Sequence, residues 1–161
     1  MAAKPLIRPE AAADPEAIRA AALALLARRD WLTGELSAKL QSSGCDPEAT
    51  CGVVGELVRE RLLNDTRYAE RYVDSHAERG QGPLRIAADL ASLGAPRDLI
   101  EAAIESGPDW RALAREVRRR KFGAVPPDSQ ADKGRQARFL QYRGFSSDHI
   151  RSALGPDLDL D

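Results

Sequence analysis

Apolar positions recur along this chain at intervals of three and four residues, so each long segment predicts an amphipathic helix rather than a strand. Ile18, Ala22, Leu25 and Leu26 mark one face of a helix over 16–29, with Pro15 suited to its first turn. Leu36 and Leu40 mark a second helix over 33–43, and Val53, Val54, Leu57 and Val58 a third over 47–62. A new set opens at Asn64 and Asp65, either of which can accept from the free N–H groups of a helix start, and runs through Tyr68, Ala69, Tyr72 and Val73. Gly80-Gln81-Gly82-Pro83 breaks that helix and primes the next, and helices over 84–93 and 96–105 follow. Asp109 can cap a helix over 110–122; after a loop over 123–132 containing Pro126-Pro127, two more helices are predicted over 133–143 and 147–154.

These sets repeat. Leu40, Leu90 and Leu140 fall fifty residues apart, and each is followed four positions later by a glycine, Gly44, Gly94 and Gly144. In each copy the glycine ends a helix and a new helix start follows, at Asp46-Pro47, Ala95-Pro96 and Ser146-Ser147. Leu36 matches Ile86, Glu35 matches Arg85 and Arg135, and Val53 matches Ala103 and Ala153. Trp110 follows its counterpart Tyr68 by only forty-two residues, and an insertion of about eight in the loop over 123–132 restores the register. The expected architecture is all-α, an elongated tandem array of three three-helix repeats over 15–63, 64–106 and 107–155. A loose leader is expected over 1–14 and an acidic tail over 156–161.

Composition agrees with an all-helical fold, since aromatic residues make up 5% of the 161 positions and alanine, leucine, arginine and glutamate dominate. No apolar run approaches eighteen residues and the N-terminus lacks a secretory pattern, so a cytoplasmic monomer without a membrane segment is expected. Cys45 and Cys51 are then expected as thiols. They have no nearby histidine to complete a zinc set, and His76 and His149 lie in different repeats, so no metal is expected. No phosphate loop, nucleophile elbow or assembled acid–base set is present, which argues against an enzyme and against a cofactor.

The net charge of −1 hides a strong asymmetry. Between Trp110 and Arg151 eleven Lys or Arg face four Asp or Glu, a net +7, whereas the preceding 109 residues carry −5. Arg118-Arg119-Arg120-Lys121 point around most of a helix, and Glu116 alone cannot neutralise them. They fit a solvated helix C-terminus, where cations complement the dipole, or a surface for an anionic partner. Arg135, Arg138 and Arg143 on the next helix favour the partner, since tracking phosphates needs this density of charge. Most aromatics fall at core positions; Tyr72 and Tyr142 are the two read as surface contacts.

Four segments together resemble the RecX family of bacterial regulatory proteins. They are Leu62-Leu63-Asn64-Asp65-Thr66-Arg67-Tyr68-Ala69-Glu70-Arg71-Tyr72-Val73, Arg79-Gly80-Gln81-Gly82-Pro83-Leu84-Arg85-Ile86, Arg119-Arg120-Lys121-Phe122-Gly123 and Arg138-Phe139-Leu140-Gln141-Tyr142-Arg143-Gly144-Phe145. The resemblance spans about residues 17–154. It implies a tandem array of three-helix repeats and a regulator of the RecA recombinase. Such a regulator binds the RecA filament on single-stranded DNA and most often inhibits its ATPase, strand-exchange and coprotease activities, in recombination, DNA repair and the SOS response. Single- or double-stranded DNA is a second partner, reached through the basic third repeat. Residues assigned to the filament or DNA on this reading are Arg67, Tyr72, Arg79, Arg85, Arg115, Arg118, Arg119, Arg120, Lys121, Arg135, Arg138, Tyr142 and Arg143.

The chain departs from the family pattern in its first repeat. Leu32 stands where a serine would complete a capping box with Glu35, leaving Thr33 to cap a shorter helix. Cys45 replaces an aromatic, and Gly52 and Gly55 lie inside a helix at about 1 kcal/mol each relative to alanine, so this repeat is expected to be the most mobile. A rival reading is a DNA-binding helical module that acts without RecA. Against it, the last helix offers only His149 and Arg151 as base readers.

Overall fold

The computed structural model describes residues 4–155. The tail expected over 156–161 and the first three residues of the leader lie outside the described residues. Among the described residues there are nine α-helices and no strand: α1 Pro15–Leu26, α2 Thr33–Ser42, α3 Pro47–Arg59, α4 Asp65–Glu78, α5 Pro83–Ser92, α6 Arg97–Glu105, α7 Trp110–Phe122, α8 Gln130–Arg143 and α9 Ser147–Leu154. The chain is thus an all-helical repeat array. The fifty-residue register is visible in the backbone, because Gly44, Gly94 and Gly144 have φ of 101°, 90° and 97°. In the first and third copies the N–H groups of the glycine and its neighbour turn back to the preceding helix, and only glycine adopts this left-handed geometry without strain.

Three helix ends differ from expectation by three residues, each for a local reason. α1 stops at Leu26 rather than residue 29, where the Trp31 indole N–H donates to the Leu25 carbonyl at 3.2 Å and turns the chain. α3 stops at Arg59 because Arg61 takes φ 60°, and the Leu62 and Leu63 N–H groups both return to the Leu57 carbonyl. α8 begins three residues early because the Ser129 hydroxyl caps it, accepting from the Asp132 N–H at 3.1 Å.

The described residues form two compact units, the first holding residues 4–68 with Leu93–Ala95 and the second Ala69–Ser92 with residues 96–155. In the first unit α1, α2 and α3 close over Ile18, Ala22, Leu36, Leu40, Val53 and Leu57, joined by Cys45 and Leu63. Burial pushes the Cys45 thiol up from its ordinary range, consistent with a packing role. The expected loose leader is corrected in its described part. Ile7 packs against this core, Pro9–Ala11 form a turn of 3-10 helix, and the Ala12 carbonyl accepts from the Asp46 N–H at 2.8 Å. Gly52 and Gly55 sit on the outer side of an unbroken α3, where an added Cβ would meet open space at Gly52 and only the Arg59 side chain at Gly55.

Thr33 does not cap α2 unaided. The Leu32 cap position supplies no side-chain bond, and the Asp65 carboxylate accepts from the Thr33 N–H at 2.8 Å and its hydroxyl at 2.9 Å. Asn64 in turn caps α4, its side-chain oxygen accepting from the Arg67 N–H at 3.0 Å.

In the second unit the third repeat has its own core of Ala114, Val117, Ala137, Leu140, Phe145, Ile150 and Leu154. Phe145 occupies the register position of Cys45, and both are buried. α5 is joined to the end of α8 by backbone hydrogen bonds: the Gly82 N–H donates to the Arg143 carbonyl at 2.8 Å, and the Leu84 N–H to the Gly144 carbonyl at 2.9 Å. The approach is so close that a Cβ on Gly82 would lie 2.4 Å from the Gly144 carbonyl, and one on Gly144 would lie 2.4 Å from the Arg85 Cβ.

Candidate functional site

The cations predicted to face a partner divide by what they touch. Arg118 is corrected: it is 7% exposed, its Nε–H donates to Gln136 Oε1 at 3.1 Å, and its Nη2 donates to the Gly123 and Val125 carbonyls at 3.2 and 2.8 Å. It ties the loop after α7 to α8 and is a structural arginine. Gln136 answers it from the register position that Leu36 and Ile86 fill in the other copies, and all three are buried. The sequence cue was available, since a polar residue at a repeat's apolar position signals a buried polar partner.

Arg79, Arg120, Lys121 and Arg143 do come together. With Gly80, Val117 and Phe139 they line a cleft of about 250 Å³ in the second unit. The Gly82–Gly144 contact places Arg79 and Arg143 side by side, and Arg143 Nη1 donates to the Arg79 carbonyl at 3.4 Å. Phe139 forms the cleft's aromatic wall: the Arg143 guanidinium carbon lies 5.3 Å and Lys121 Nζ 5.9 Å from its ring centre. Phe122 meets Phe139 edge-on at 5.3 Å, and Arg135 lies 5.3 Å over Phe122. Among the described residues no carboxylate pairs with Lys121 or Arg143, whereas Arg120 pairs with Glu116 and Arg135 with Asp132 at 2.7 Å. Phe139, read from the sequence as core, packs half-buried against the core of the third repeat and also supports the cations, while Phe122, likewise read as core, is half-buried beneath Arg135.

A second basic cleft, of about 450 Å³, lies between α7 and α9 and is lined by Ala112, Arg115, Glu116, Arg118, Arg119 and Ala153. Arg115 donates to the Ser152 hydroxyl at 2.6 Å, and Arg119 is exposed. At the same end of the repeat Arg111 pairs with Asp148, whose carboxyl it holds below the usual range.

The remaining candidates scatter. Arg138 is exposed, and Tyr142 is the most exposed of the aromatics described, at 85%. Arg85 is exposed beyond its backbone contact with Gly144. Tyr72 is half-buried and stacked on His76, with ring centres 3.8 Å apart, while the His76 Nδ1–H donates to the Tyr72 carbonyl at 2.8 Å. Arg67 is a half-buried residue of the first unit.

The same segments are found in known proteins. A family model described as the RecX third three-helix domain matches residues 109–154, and one described as the RecX second three-helix domain matches residues 64–104. The Regulatory protein RecX of Halorhodospira halophila is 47% identical over 145 residues, covering 89% of this chain and 90% of that protein. The chain belongs to the RecX family. The Regulatory protein RecX of Pseudomonas savastanoi is 42% identical over 142 residues, covering 87% of this chain and 91% of that one. RecX from Lactobacillus salivarius, a solved structure at 22% identity, shares the fold with a TM-score of 0.78 over 87% of this chain and 94% of its own.

Within the RecX frame, two of the segments that carried the resemblance have a structural reason. Gly82 and Gly144, one from each segment, are where two backbones touch, and Arg79, Gly80 and Arg143 next to them in sequence line the basic cleft. Among the described residues no group of three His, Cys, Asp or Glu is placed to hold a metal ion, and no helix is long and apolar enough to cross a membrane.

Proposed function

We propose that this protein regulates the RecA recombinase by binding its filament on single-stranded DNA, and that the usual outcome is inhibition of ATP hydrolysis, strand exchange and coprotease activity. The observation that carries the reading is the joining of two family segments into a cationic cleft, where among the described residues no carboxylate pairs with Arg79, Lys121 or Arg143. A filament on DNA offers both phosphates and acidic protein surface to such a cleft. Arg119, exposed in the neighbouring cleft, extends the same charge. The reading needs no catalysis by this chain and no cofactor, and its relatives are named as regulatory proteins. It places the protein in the cytoplasm, acting as a monomer.

The test is RecA ATP hydrolysis on single-stranded DNA, titrated with this protein below one copy per RecA. Strong suppression at low ratio supports an effect spread along the filament; no suppression up to equimolar amounts of folded protein overturns it. Reversing Arg119 and Arg120 to glutamate should weaken filament binding and flatten its salt dependence.

A further inference from the structure

Beside the basic cleft, the second unit carries a groove of the opposite sign. α4, α7 and the turn before α7 line a cleft of about 370 Å³, to which Ala77, Pro108 and Leu113 give an apolar lining. Its polar lining is Asp74, Glu78 and Glu116 with Arg120, and Arg120 is already paired with Glu116. Asp74 also lines a second cleft of about 200 Å³ together with Glu70, Ala103 and Ser106, so the two clefts adjoin along α4. Glu70, Asp74 and Glu78 are exposed, and among the described residues no cation pairs with them. Arg67 and Arg71 stand on α4 as well but line neither cleft. The three carboxylates fall four residues apart, in one row with steps of about 6 Å. Like charges at this spacing repel one another, and a cationic partner turns that repulsion into attraction.

We infer that this groove docks a basic helical segment of a protein partner, whose Lys or Arg side chains meet Glu70, Asp74 and Glu78 while their aliphatic stems lie on Ala77, Pro108 and Leu113. The sign of the charge turns away nucleic acids and acidic peptides. Among the described residues no three carboxylates converge to hold a metal ion, so the row suits separate cations rather than one. A helix presents such cations at the right interval, because its own side chains four apart repeat with the same step of about 6 Å. The clefts are too small to take the helix itself, but each has room for the stem of a lysine or arginine, which covers apolar surface while its head stays at the rim. Such docking uses none of the cations in the regulatory reading, and it stands or falls without RecA.

The experiment is fluorescence anisotropy of the full chain, at low salt and without RecA, with a labelled helical peptide of repeated Lys-Ala-Ala-Ala units. A peptide of the same composition with its lysines in one block is the comparison. The evenly spaced peptide is expected to bind more tightly, by about three-fold or more. Asp74→Asn combined with Glu78→Gln should weaken it about five-fold, as for the loss of two exposed ion pairs. Glu48→Gln combined with Glu56→Gln removes two exposed carboxylates from the first unit and should leave the affinity unchanged. All four side chains are exposed, so both double variants keep the fold, which circular dichroism checks. No binding, equal affinity for the two peptides, or an equal loss in both double variants overturns the inference, since net charge alone then accounts for any attraction. Displacement of the peptide by spermidine at equal charge makes a small polycation the occupant and overturns it too. So does a dimer of the wild-type chain in sedimentation that the Asp74 and Glu78 variant lacks, because the occupant is then a second copy.

Discussion

Asp65 caps a helix that begins thirty-two residues before it: its carboxylate accepts from both the N–H and the hydroxyl of Thr33, at 2.8 and 2.9 Å. Leu32 at the cap position has no side-chain acceptor, and a residue from the start of α4 supplies what a local capping side chain would have given. A local cap steadies one helix, whereas this one also fastens the start of α4 to α2 within the first unit. Asp65→Ala should therefore destabilise this unit by about 1–2 kcal/mol, the upper part of the range for lost caps. Urea unfolding followed by Trp31 fluorescence measures it. A change within about 0.5 kcal/mol would mean that water replaces the carboxylate at no cost.

The two glycine contacts separate conformational strain from steric exclusion. Gly44 and Gly144 hold nearly the same φ, 101° and 97°, but an added Cβ meets open space at Gly44 and the Arg85 backbone and Cβ at Gly144. Gly44→Ala should cost about 1–2 kcal/mol, the left-handed penalty alone. Gly144→Ala should cost more than 3 kcal/mol, because backbone at 2.7 Å cannot yield as a side chain can. Thermal unfolding of the two variants side by side decides it. Equal costs would show that α5 and α8 can part slightly without loss.

How much of this could be read from residues alone follows from what is local. Helix existence, the fifty-residue register and the left-handed glycines came through because apolar spacing and helix stops act over a few positions, as Leu40, Leu90 and Leu140 with their glycines show. Arg118 was misread because its burial depends on Gln136, eighteen residues away, and on carbonyls of a loop with no pattern of its own. Arg79 and Arg143 could be nominated separately by charge. Their meeting depends on a contact between Gly82 and Gly144, sixty-two residues apart, and that pairing has no signature in spacing. Phe139 was assigned to the core because aromatics usually are, and it does pack against it; what its spacing did not show is that its outer side lies beneath cations.

Thr50 breaks the repeat in a way that stability should register. Its register partners Ile100 and Ile150 are buried and apolar, and Thr50 is fully buried with no hydrogen-bond partner for its hydroxyl oxygen among the described residues. A buried hydroxyl without a partner costs about 1–3 kcal/mol, and valine has nearly the same shape. Thr50→Val should stabilise the first unit by about 1 kcal/mol, read as a higher urea midpoint at unchanged m-value. A loss of stability would reveal a partner for the hydroxyl in solution.

Acid should loosen the start of α9 before it touches the carboxylates. His149 Nδ1 accepts from the Ser146 N–H at 3.2 Å, while the Ser146 hydroxyl accepts from the His149 N–H at 3.3 Å, a reciprocal cap. Burial, the largest cause, holds the imidazole below its ordinary range, and protonation removes the acceptor that the Ser146 N–H needs. The unfolded chain thus binds the proton more readily, so this contribution is complete above about pH 6.5 and is lost as pH falls below it. Asp109 and Asp148, whose carboxyls are held low by the Ala112 N–H and by Arg111, lose their contributions only below the ordinary carboxylate range. Unfolding midpoints should drop between about pH 7.5 and 5, and His149→Gln, which keeps the cap without titrating, should flatten that step. An unaltered step in His149→Gln would assign it to another group.

Arg118 and Arg119 are adjacent and should fail in opposite assays. Removing Arg118 strands Gln136 Oε1 and two loop carbonyls at once, so Arg118→Ala should cost about 2–4 kcal/mol and loosen the segment between α7 and α8. Arg119 is exposed, and no carboxylate pairs with it among the described residues, so Arg119→Ala should leave stability within about 0.5 kcal/mol. Partner binding reverses the order per unit of folded protein: Arg119→Ala should weaken binding at low salt and reduce its salt slope by about one contact, as expected for a cation that meets a phosphate or carboxylate. Urea unfolding and a salt titration of filament binding, run on both variants, separate the two roles. If Arg119→Ala binds with the wild-type slope, the groove between α7 and α9 plays no part in recognition, and the charge that matters lies at Arg79, Lys121 and Arg143.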